Sequence, residues 1–236
     1  MKRNRLFYLI GGLLVTGMMQ AQVADRQTYL NDFKKEMTVK WPKNRTLNVV
    51  FHGHSVPSGY FTGGVVNTMQ AYPHLVFHGL KTQYPYTVLN VFTTSIGGEQ
   101  AEQGEKRFTD EVLTHRPDVL FIDYALNDRR IGLERAEKAW RKMIEATLDK
   151  GIKLVLLTPT PDLTENILDE NTPLARHAEM IRRLADEYHV GLVDSYQLFK
   201  EKAEKGEDLK KYMSQSNHPN AAGHSCVAAE ILTWFF

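Results

Sequence analysis

Five short apolar runs, each rich in β-branched residues, are spaced along the chain after residue 45. Their continuous apolar character suits strands that are buried on both faces of a parallel sheet. The strands predicted in this way are Leu47–Phe51, Val88–Phe92, Val119–Ile122, Leu154–Leu157 and Val190–Val193.

The segments between the predicted strands carry the apolar spacing of helices. Residues Leu133–Leu148 form one amphipathic pattern, and Gly151 stands where the end of a helix favours a left-handed residue. A second pattern follows Thr172-Pro173, which supply an N-cap residue and a first-turn proline. We expect both apolar stripes to form core. The apolar stretch Ser225–Phe236 predicts a last helix, and the polar residues Asp162–Asn171 predict a long surface loop.

The alternation of strands and helices predicts right-handed crossovers in a doubly wound α/β sheet of five parallel strands. With helices on both faces, this is a three-layer α/β/α single domain. We place the domain at residues 45–236, after a lead-in at residues 22–44 and a targeting segment at residues 1–21. In such a sheet, ligands bind outside the carboxyl ends of the strands, so chemistry is sought there.

The composition narrows the class of protein. The chain has 236 residues, of which 42% are hydrophobic and 24% charged, which excludes disorder as its main state. A formal net charge of +1 provides no basic surface for nucleic acid. The single cysteine, Cys226, has no partner for an intrachain disulfide. Composition does not fix the oligomeric state.

The N-terminus has the pattern of a secretory signal peptide. A basic start at Met1–Arg5 precedes the apolar stretch Leu6–Met19, which ends near the small residue Ala21. The apolar stretch is shorter than the roughly 20 residues of a spanning helix. We therefore expect cleavage and export, to the periplasm or the medium, without stable membrane insertion. An uncleaved N-terminal anchor is the alternative.

A serine follows the first predicted strand directly. Ser55 lies in the sequence Gly53-His54-Ser55, at the turn that leaves the strand. A hydroxyl at this place is exposed at the edge of the sheet, and the N–H of the same residue can serve as an oxyanion donor. Alternatively, Ser55 caps the following helix.

Two further strand ends carry groups that can donate to an anion. Gly97 and Gly98 follow the second strand, where glycine lets the backbone approach a bound group. Asn127 follows the third strand, and its side chain has two amide hydrogens to donate. A glycine pair and an asparagine are also common turn formers, which is the alternative interpretation for each.

A histidine lies in the loop before the last predicted helix. His218 precedes Pro219 in the sequence H-P-N, and imidazole titrates near neutral pH, as a general base should. His224, six residues later, is interpreted as a structural residue at the start of the helix.

The four motifs, in this order, resemble those of the SGNH (GDSL-type) hydrolase family. They are G-x-S after strand 1, a glycine after strand 2, A-x-N-D after strand 3 and H-P-N near the end, and the resemblance covers roughly residues 45–236. It implies a flavodoxin-like sheet with strand order 2-1-3-4-5. It also implies that Ser55 is the nucleophile and His218 the base. Gly98, preferred to Gly97 by its spacing, and Asn127 are then oxyanion donors beside the Ser55 N–H.

Three residues depart from the family pattern. His54 replaces the aspartate of G-D-S, and Ala125 replaces the glycine of G-x-N-D. Gln215 occupies the place three before His218, where an aspartate usually orients the histidine. In the serine-protease template, the loss of that aspartate costs about 10⁴ in kcat. A dyad still functions if a backbone carbonyl, or the amide oxygen of Gln215, accepts the histidine N–H.

These assignments predict a serine esterase that needs no cofactor. We expect an O-acyl ester, and specifically an O-acetyl ester on a carbohydrate, as substrate. Tyr60, beside the nucleophile, and His54, Tyr124 and Arg129 at strand ends are candidate substrate-binding residues. A lysophospholipase or general acyl esterase is the alternative within the same class.

Two other interpretations of the sequence stay open, a metalloenzyme and a binding protein without catalytic activity. His52 and His54, two apart at a strand end, are candidate zinc ligands together with Asp128 or His218. Gln215 stands where the family usually has an aspartate. This replacement also fits a degenerate hydrolase that binds glycans without turnover.

Overall fold

The computed structural model describes residues 22–236, so the predicted signal peptide at residues 1–21 lies outside the described part of the chain. Five parallel strands form a sheet in the order β2-β1-β3-β4-β5, which confirms the expected doubly wound topology. The strands are β1 Thr46–Gly53, β2 Val88–Thr93, β3 Val119–Asp123, β4 Lys153–Leu157 and β5 Gly191–Val193. A separate antiparallel hairpin pairs β6 Met213–Gln215 with β7 His218–Pro219.

Helices connect the strands and cover both faces of the sheet. Between residues 22 and 236, none of them is both long and apolar enough to cross a membrane. The helices are α1 Asn31–Thr38, α2 Ser55–Ser58, α3 Tyr72–Gln83, α4 Ala101–Lys106, α5 Phe108–Glu111, α6 Ala125–Asp128, α7 Leu133–Leu148, α8 Pro173–Glu187, α9 Ser195–Glu204 and α10 Ala221–Leu232.

Successive side chains of the central strands enter two different cores, because strand residues point alternately to the two faces of a sheet. On β3, Val119 and Phe121 join a core shared with α1, α3, α9 and α10. Leu120 and Ile122 join the opposite core, which is shared with α4, α5 and α7, and α8 contributes to both. This arrangement confirms the three-layer α/β/α architecture.

The two predicted central helices are confirmed. Helix α7 has the predicted bounds, and Gly151 beyond it adopts a left-handed φ of 69°. Helix α8 begins at Pro173, and the Thr172 side chain accepts the Ala175 N–H at 3.2 Å. Gly151 and Thr172 therefore correctly predicted the end of α7 and the start of α8 from the sequence.

The last helix begins four residues before the predicted start at Ser225. The Asn220 side chain accepts the N–H groups of Ala222 at 2.9 Å and Gly223 at 3.1 Å, so the helix begins at Ala221. It ends at Leu232, and the buried residues that follow pack in an irregular turn. The prediction missed the cap because it followed apolar residues alone.

Two polar segments are more involved in packing than expected. The lead-in at residues 22–44 contains α1, whose Phe33 and Met37 are buried in the main core. The predicted surface loop Asp162–Asn171 is anchored at its start, because Asp162 is buried and accepts a hydrogen bond from Arg129 at 2.6 Å. The rest of the segment is an irregular and mostly exposed loop, as predicted, and the buried ion pair fixes its start.

A close helix contact lies beneath the carboxyl end of β3. Gly104 of α4 packs on the ring and hydroxyl of Tyr124, a fully buried residue, and a Cβ on Gly104 would overlap the phenol. The hydroxyl of Tyr124 is itself held by a hydrogen bond to Glu99 at 2.6 Å. Tyr124 therefore has no room to move away.

We predict that Gly104→Ala destabilises the protein. Alanine is the better helix former by about 1 kcal/mol, but overpacking against a fixed buried side chain costs about 1–3 kcal/mol. Urea unfolding should therefore give a lower free energy of unfolding than wild type. Lys106→Ala, at an exposed position of the same helix, is the control and should stay within about 0.5 kcal/mol. A Gly104→Ala protein as stable as wild type would contradict the tight contact.

Candidate active site

The first strand delivers Ser55 to the carboxyl edge of the sheet. β1 ends at Gly53, and Ser55 is the first residue of α2. A Cβ on Gly53 would come within 2.9 Å of Pro57 and would overlap the Asp123 carbonyl, so the tight turn requires glycine. The Ser55 side chain is largely enclosed, with 6% of the residue exposed.

The β6–β7 hairpin brings His218 to Ser55. The Nε2 atom of His218 lies 2.7 Å from the Oγ atom of Ser55, although 163 residues separate them in the chain. A hydroxyl hydrogen-bonded to an imidazole nitrogen is the arrangement in which the imidazole can remove the hydroxyl proton. The structure thus unites the two residues predicted as nucleophile and base.

Two amide side chains face the other imidazole nitrogen. The Oδ1 atom of Asn217 lies 2.8 Å from His218 Nδ1, and the Nε2 atom of Gln215 lies 2.5 Å from it. When Nε2 of His218 accepts the serine proton, Nδ1 carries the hydrogen and needs an acceptor. Asn217 presents an oxygen there, whereas Gln215 presents its nitrogen. Gln215 is therefore in contact with the imidazole, as predicted from the sequence, and Asn217 is a second neighbour of the same nitrogen.

Asn217 is not among the site residues predicted from the sequence. The family pattern places an aspartate three residues before the histidine, which is the position of Gln215 here. The signal available in the sequence was an amide side chain directly next to the histidine. Whether its oxygen can reach Nδ1 depends on the hairpin geometry, which the sequence pattern does not contain.

The imidazole of His218 lies in a poorly solvated environment. Burial lowers its pKa, the nearby His54 lowers it further, and Asp162 opposes both, which leaves the pKa at about 4. His218 is therefore neutral, and able to accept a proton, from neutral pH down to mildly acidic pH.

The Gly98 loop presents a free backbone N–H near the same edge. Gly98 has a φ of 78°, a conformation that favours glycine. The loop is held on β1 by the Ile96 N–H, which donates to the Gly53 carbonyl at 3.1 Å. Within residues 22–236, the N–H groups of Ser55 and Gly98 donate to no acceptor of the chain. Both therefore remain available to a bound oxygen.

Asn127 is fixed by the same loop. Its Nδ2 donates one hydrogen to the carbonyl of Glu99 at 3.0 Å, which leaves the second amide hydrogen for another acceptor. Asn127 and Asn217 also line one cavity of about 280 Å³. Asn127 and Asn217 therefore border the same open space.

A buried polar network supports this loop from behind. The carboxylate of Glu99 accepts hydrogen bonds from Arg107 at 2.8 Å and Tyr124 at 2.6 Å. His52 completes the network, with Nε2 3.1 Å from the Tyr124 hydroxyl. Burial and the Arg107 charge lower the pKa of His52 to about 3, so it is neutral. Glu99 thus holds Asn127 through its carbonyl and the network through its carboxylate.

Of the four expected substrate-binding residues, Tyr60 and Arg129 border open space. The ring of Tyr60 lies 6.4 Å from that of His218, measured between centroids, and packs against Gly97. Arg129 lines the 280 Å³ cavity, and its charge is paired with Asp162 and Glu165.

The other two expected substrate-binding residues are sealed in the interior. His54 is 1% exposed, its Nδ1 accepts the Val56 N–H at 3.1 Å, and its Nε2 lies 3.4 Å from Asp123. His54 thus caps the helix that carries Ser55. Tyr124 is fully buried in the Glu99 network. Direct substrate contact by His54 and Tyr124 is therefore corrected to a supporting role.

The side chains named for a zinc site are engaged separately. The Asp128 carboxylate accepts hydrogen bonds from the Ala101 N–H at 2.7 Å and Trp140 at 2.8 Å, so both of its oxygens are engaged. Across residues 22–236, no three histidine, cysteine or acidic side chains are grouped closely enough to hold a metal ion. The proposed ligands therefore do not form a metal centre.

The sequence also matches a known family. The family model described as GDSL-like lipase/acylhydrolase matches residues 51–226, about three quarters of the chain. The search of curated proteins finds no match.

Solved structures of esterases share the fold. A two-domain esterase active on acetylated mannans gives a TM-score of 0.74 at 20% identity, covering 91% of this chain and 54% of that chain. This chain therefore spans about half the length of that esterase. An acetylxylan esterase from Geobacillus stearothermophilus gives 0.69 at 20% identity, with 84% of this chain and 96% of that chain covered.

A protein from Parabacteroides merdae, described as a GDSL-like lipase, gives a TM-score of 0.70 at 18% identity, with 84% and 99% of the two chains covered. For the Geobacillus enzyme, the compared structures include catalytic mutants in which a serine or a histidine is replaced by alanine. At these identities, the similarity establishes a common fold.

We predict that His218 titrates near pH 4 in the folded protein. Burial and the proximity of His54 both disfavour the imidazolium, so the midpoint should lie well below the ordinary value near 6.5. NMR of the imidazole C–H signals, assigned by their loss in His218→Gln, measures the midpoint. The unfolded chain is the control and should titrate near 6.5. A folded-state midpoint of 6 or above would contradict the desolvated site.

Proposed function

Because this chain belongs to the GDSL-like lipase/acylhydrolase family, and is thus a serine hydrolase of carboxylic esters, we propose that it removes O-acetyl groups from a carbohydrate. The observation that carries the proposal is the 2.7 Å contact between Ser55 Oγ and His218 Nε2. The reaction proceeds through an acyl-enzyme on Ser55.

In the first half of the reaction, Ser55 Oγ attacks the ester carbonyl carbon, and His218 Nε2 takes the hydroxyl proton. The new bond between Oγ and the carbonyl carbon gives a tetrahedral intermediate with a negative oxygen. His218 then gives its proton to the departing sugar oxygen as the bond from carbon to that oxygen breaks. The acetyl group stays on Ser55, and the deacetylated sugar leaves.

The negative oxygen of the intermediate is stabilised by hydrogen-bond donors that are already in place. We assign this role to the N–H groups of Ser55 and Gly98 and to the second amide hydrogen of Asn127. Their availability within the described chain supports the assignment. One such donor is typically worth about 10²–10³ in kcat, because it is fixed before charge develops.

Water completes the cycle. His218 removes a proton from a water molecule, whose oxygen attacks the acetyl carbon. The second tetrahedral intermediate uses the same donors, and it collapses when His218 returns the proton to Ser55 Oγ. Acetate is released, and the enzyme is regenerated.

Two features of the site support a sugar as the alcohol part of the ester. The 280 Å³ cavity beside Asn127 and Asn217 is bordered by the charged side chains of Arg129, Arg130 and Glu165. A polar cavity of this kind suits a ligand that is rich in hydroxyl groups. Similar structures include esterases described as active on acetylated mannan and acetylxylan.

A second groove favours the long-chain alternative. It has a volume of about 340 Å³, lies between α3 and β2, and is lined by both apolar and polar residues. Pro57, only two residues after Ser55, lines it together with Phe77, Leu89 and Val91. An acyl chain would bury apolar surface in this groove, so a lysophospholipase or general acyl esterase is the second candidate.

The proposal includes export. The basic start, apolar stretch and small residue at residues 1–21 support a signal peptide, and hence action in the periplasm or outside the cell. Polymeric glycans are encountered in those compartments, which fits the proposed substrate.

We predict that Ser55→Ala abolishes both ester hydrolysis and covalent labelling by a fluorophosphonate, because the nucleophilic oxygen is lost. In-gel labelling and mass spectrometry of the modified peptide measure the effect. Ser58→Ala is the matched control, since Ser58 lies in the same short helix, and it should label as wild type does. Undiminished labelling of Ser55→Ala would refute the nucleophile. Saturable sugar binding by a wild type that neither labels nor turns over would instead indicate the degenerate glycan-binding protein.

We predict that kcat/KM for nitrophenyl esters falls as the acyl chain lengthens beyond a few carbons. The same enzyme should release acetate from acetylated xylan or mannan oligosaccharides. Ester hydrolysis followed by absorbance, together with acetate assays, measures both. A preference for acyl chains of about eight carbons or more, without acetate release, would favour the groove between α3 and β2 and overturn the carbohydrate substrate.

A further inference from the structure

The position that usually orients the catalytic histidine is filled here by a neutral amide. Gln215 lies three residues before His218, and it faces Nδ1 with its side-chain nitrogen. That nitrogen is a donor, so it cannot accept the hydrogen that Nδ1 carries when Nε2 receives the serine proton. Some other group must therefore hold the imidazole in its active tautomer.

Asn217 provides the missing acceptor. Its Oδ1 lies 2.8 Å from His218 Nδ1, a normal distance for a hydrogen bond between a ring N–H and an amide oxygen. An amide oxygen accepts and never donates, so the Asn217 contact favours the tautomer with hydrogen on Nδ1. The Gln215 nitrogen favours the other tautomer, so the Gln215 amide must turn away when Nδ1 carries the hydrogen. The same imidazole is then ready at Nε2, 2.7 Å from Ser55.

Asn217 is also better placed than Gln215 to act in this way. The contact of Asn217 is partly buried, whereas that of Gln215 is exposed to solvent. Water competes for an exposed hydrogen bond, and glutamine has one more rotatable bond to immobilise than asparagine. Turning the Gln215 amide by 180° would put its oxygen near Nδ1, but holding this longer, exposed side chain in place costs more side-chain entropy than holding Asn217.

We propose that Asn217 is the positioning residue of His218, so that the enzyme works with a Ser55–His218–Asn217 triad that contains no carboxylate. This inference rests on the proposed function and deepens it. Asn217 acts through the imidazole and touches no reacting atom.

The absence of a carboxylate in contact with Nδ1, among the residues that the structure describes, affects the basicity of the His218 imidazole. The groups that act electrostatically on His218 are His54, at the start of α2, and Asp162, in the loop after β4, and their influences oppose each other. An uncharged acceptor orients the ring but adds little stabilisation to the imidazolium. The base is weaker than one that is paired with aspartate, and it stays unprotonated at lower pH.

The first experiment compares variants at the hairpin by steady-state kinetics on a short-chain nitrophenyl ester. Asn217→Ala should lower kcat at least about tenfold with KM little changed, as expected when one orienting hydrogen bond is lost. Asn217→Asp should retain or exceed wild-type kcat. Its acid limb in kcat/KM should move to higher pH, because the new carboxylate favours the imidazolium. Ser216→Ala, on the same exposed loop, is the matched control and should match wild type.

The second experiment reads the imidazole itself and does not depend on turnover. In ¹⁵N NMR of the full chain at neutral pH, the His218 ring should carry its hydrogen on Nδ1. In Asn217→Ala, the hydrogen should redistribute toward Nε2, whereas Asn217→Asp should keep it on Nδ1. A melting temperature close to that of wild type would confirm that each variant is folded.

Wild-type kcat and an unchanged tautomer in Asn217→Ala would overturn the proposal. So would a loss in Gln215→Ala that equals or exceeds the loss in Asn217→Ala, since Gln215 would then be the orienting residue. If the wild-type protein neither labels nor hydrolyses any ester, the proposed function fails, and the ¹⁵N tautomer still decides whether Asn217 positions His218.

Discussion

The hydrogen bond between Ser55 Oγ and His218 Nε2 is the contact on which the whole site depends. It joins the end of the first strand to a hairpin near the C-terminus, so both must be held independently. On one side, Gly53 permits a turn that no larger residue would fit. On the other, Asn220 caps the last helix with its side chain and donates its N–H to the Tyr212 carbonyl at 2.9 Å. Because the fold holds both groups in place, the entropy cost of bringing them together is met on folding and not during the reaction.

Around this contact, the side chains that touch the ring nitrogens of His218 are uncharged. A buried histidine, His54, precedes Ser55, the proposed nucleophile, and amides lie beside His218, the proposed base. Compared with the family pattern, the replacements at His54 and Gln215 each remove an anion. The result is a base that is oriented by geometry more than by electrostatics. Such a site gives up some driving force for proton transfer and keeps its base available in acid.

The sequence was sufficient for the sheet because buried parallel strands are continuous apolar runs, and all five were found within two residues of their true ends. The pairing of Ser55 with His218 followed from motif order. The burial of His54 and Tyr124 could not be predicted, because both side chains can face either solvent or core, and packing decides between them. The choice between Gln215 and Asn217 was also out of reach, since it depends on the side-chain geometry of a two-strand hairpin.

Glu99, in the loop after β2, connects Asn127 with the buried polar network behind it. Its backbone carbonyl fixes Asn127, while its carboxylate is shared by Arg107 and Tyr124. A change in the buried ion pair of Glu99 and Arg107 therefore affects the position of Asn127 through the backbone of Glu99. Glu99, Arg107 and Tyr124 are thus coupled, although none of them is proposed to contact the ester. The effect of a substitution at one of them depends on which residues occupy the other two positions. This is a physical basis for epistasis behind the catalytic surface.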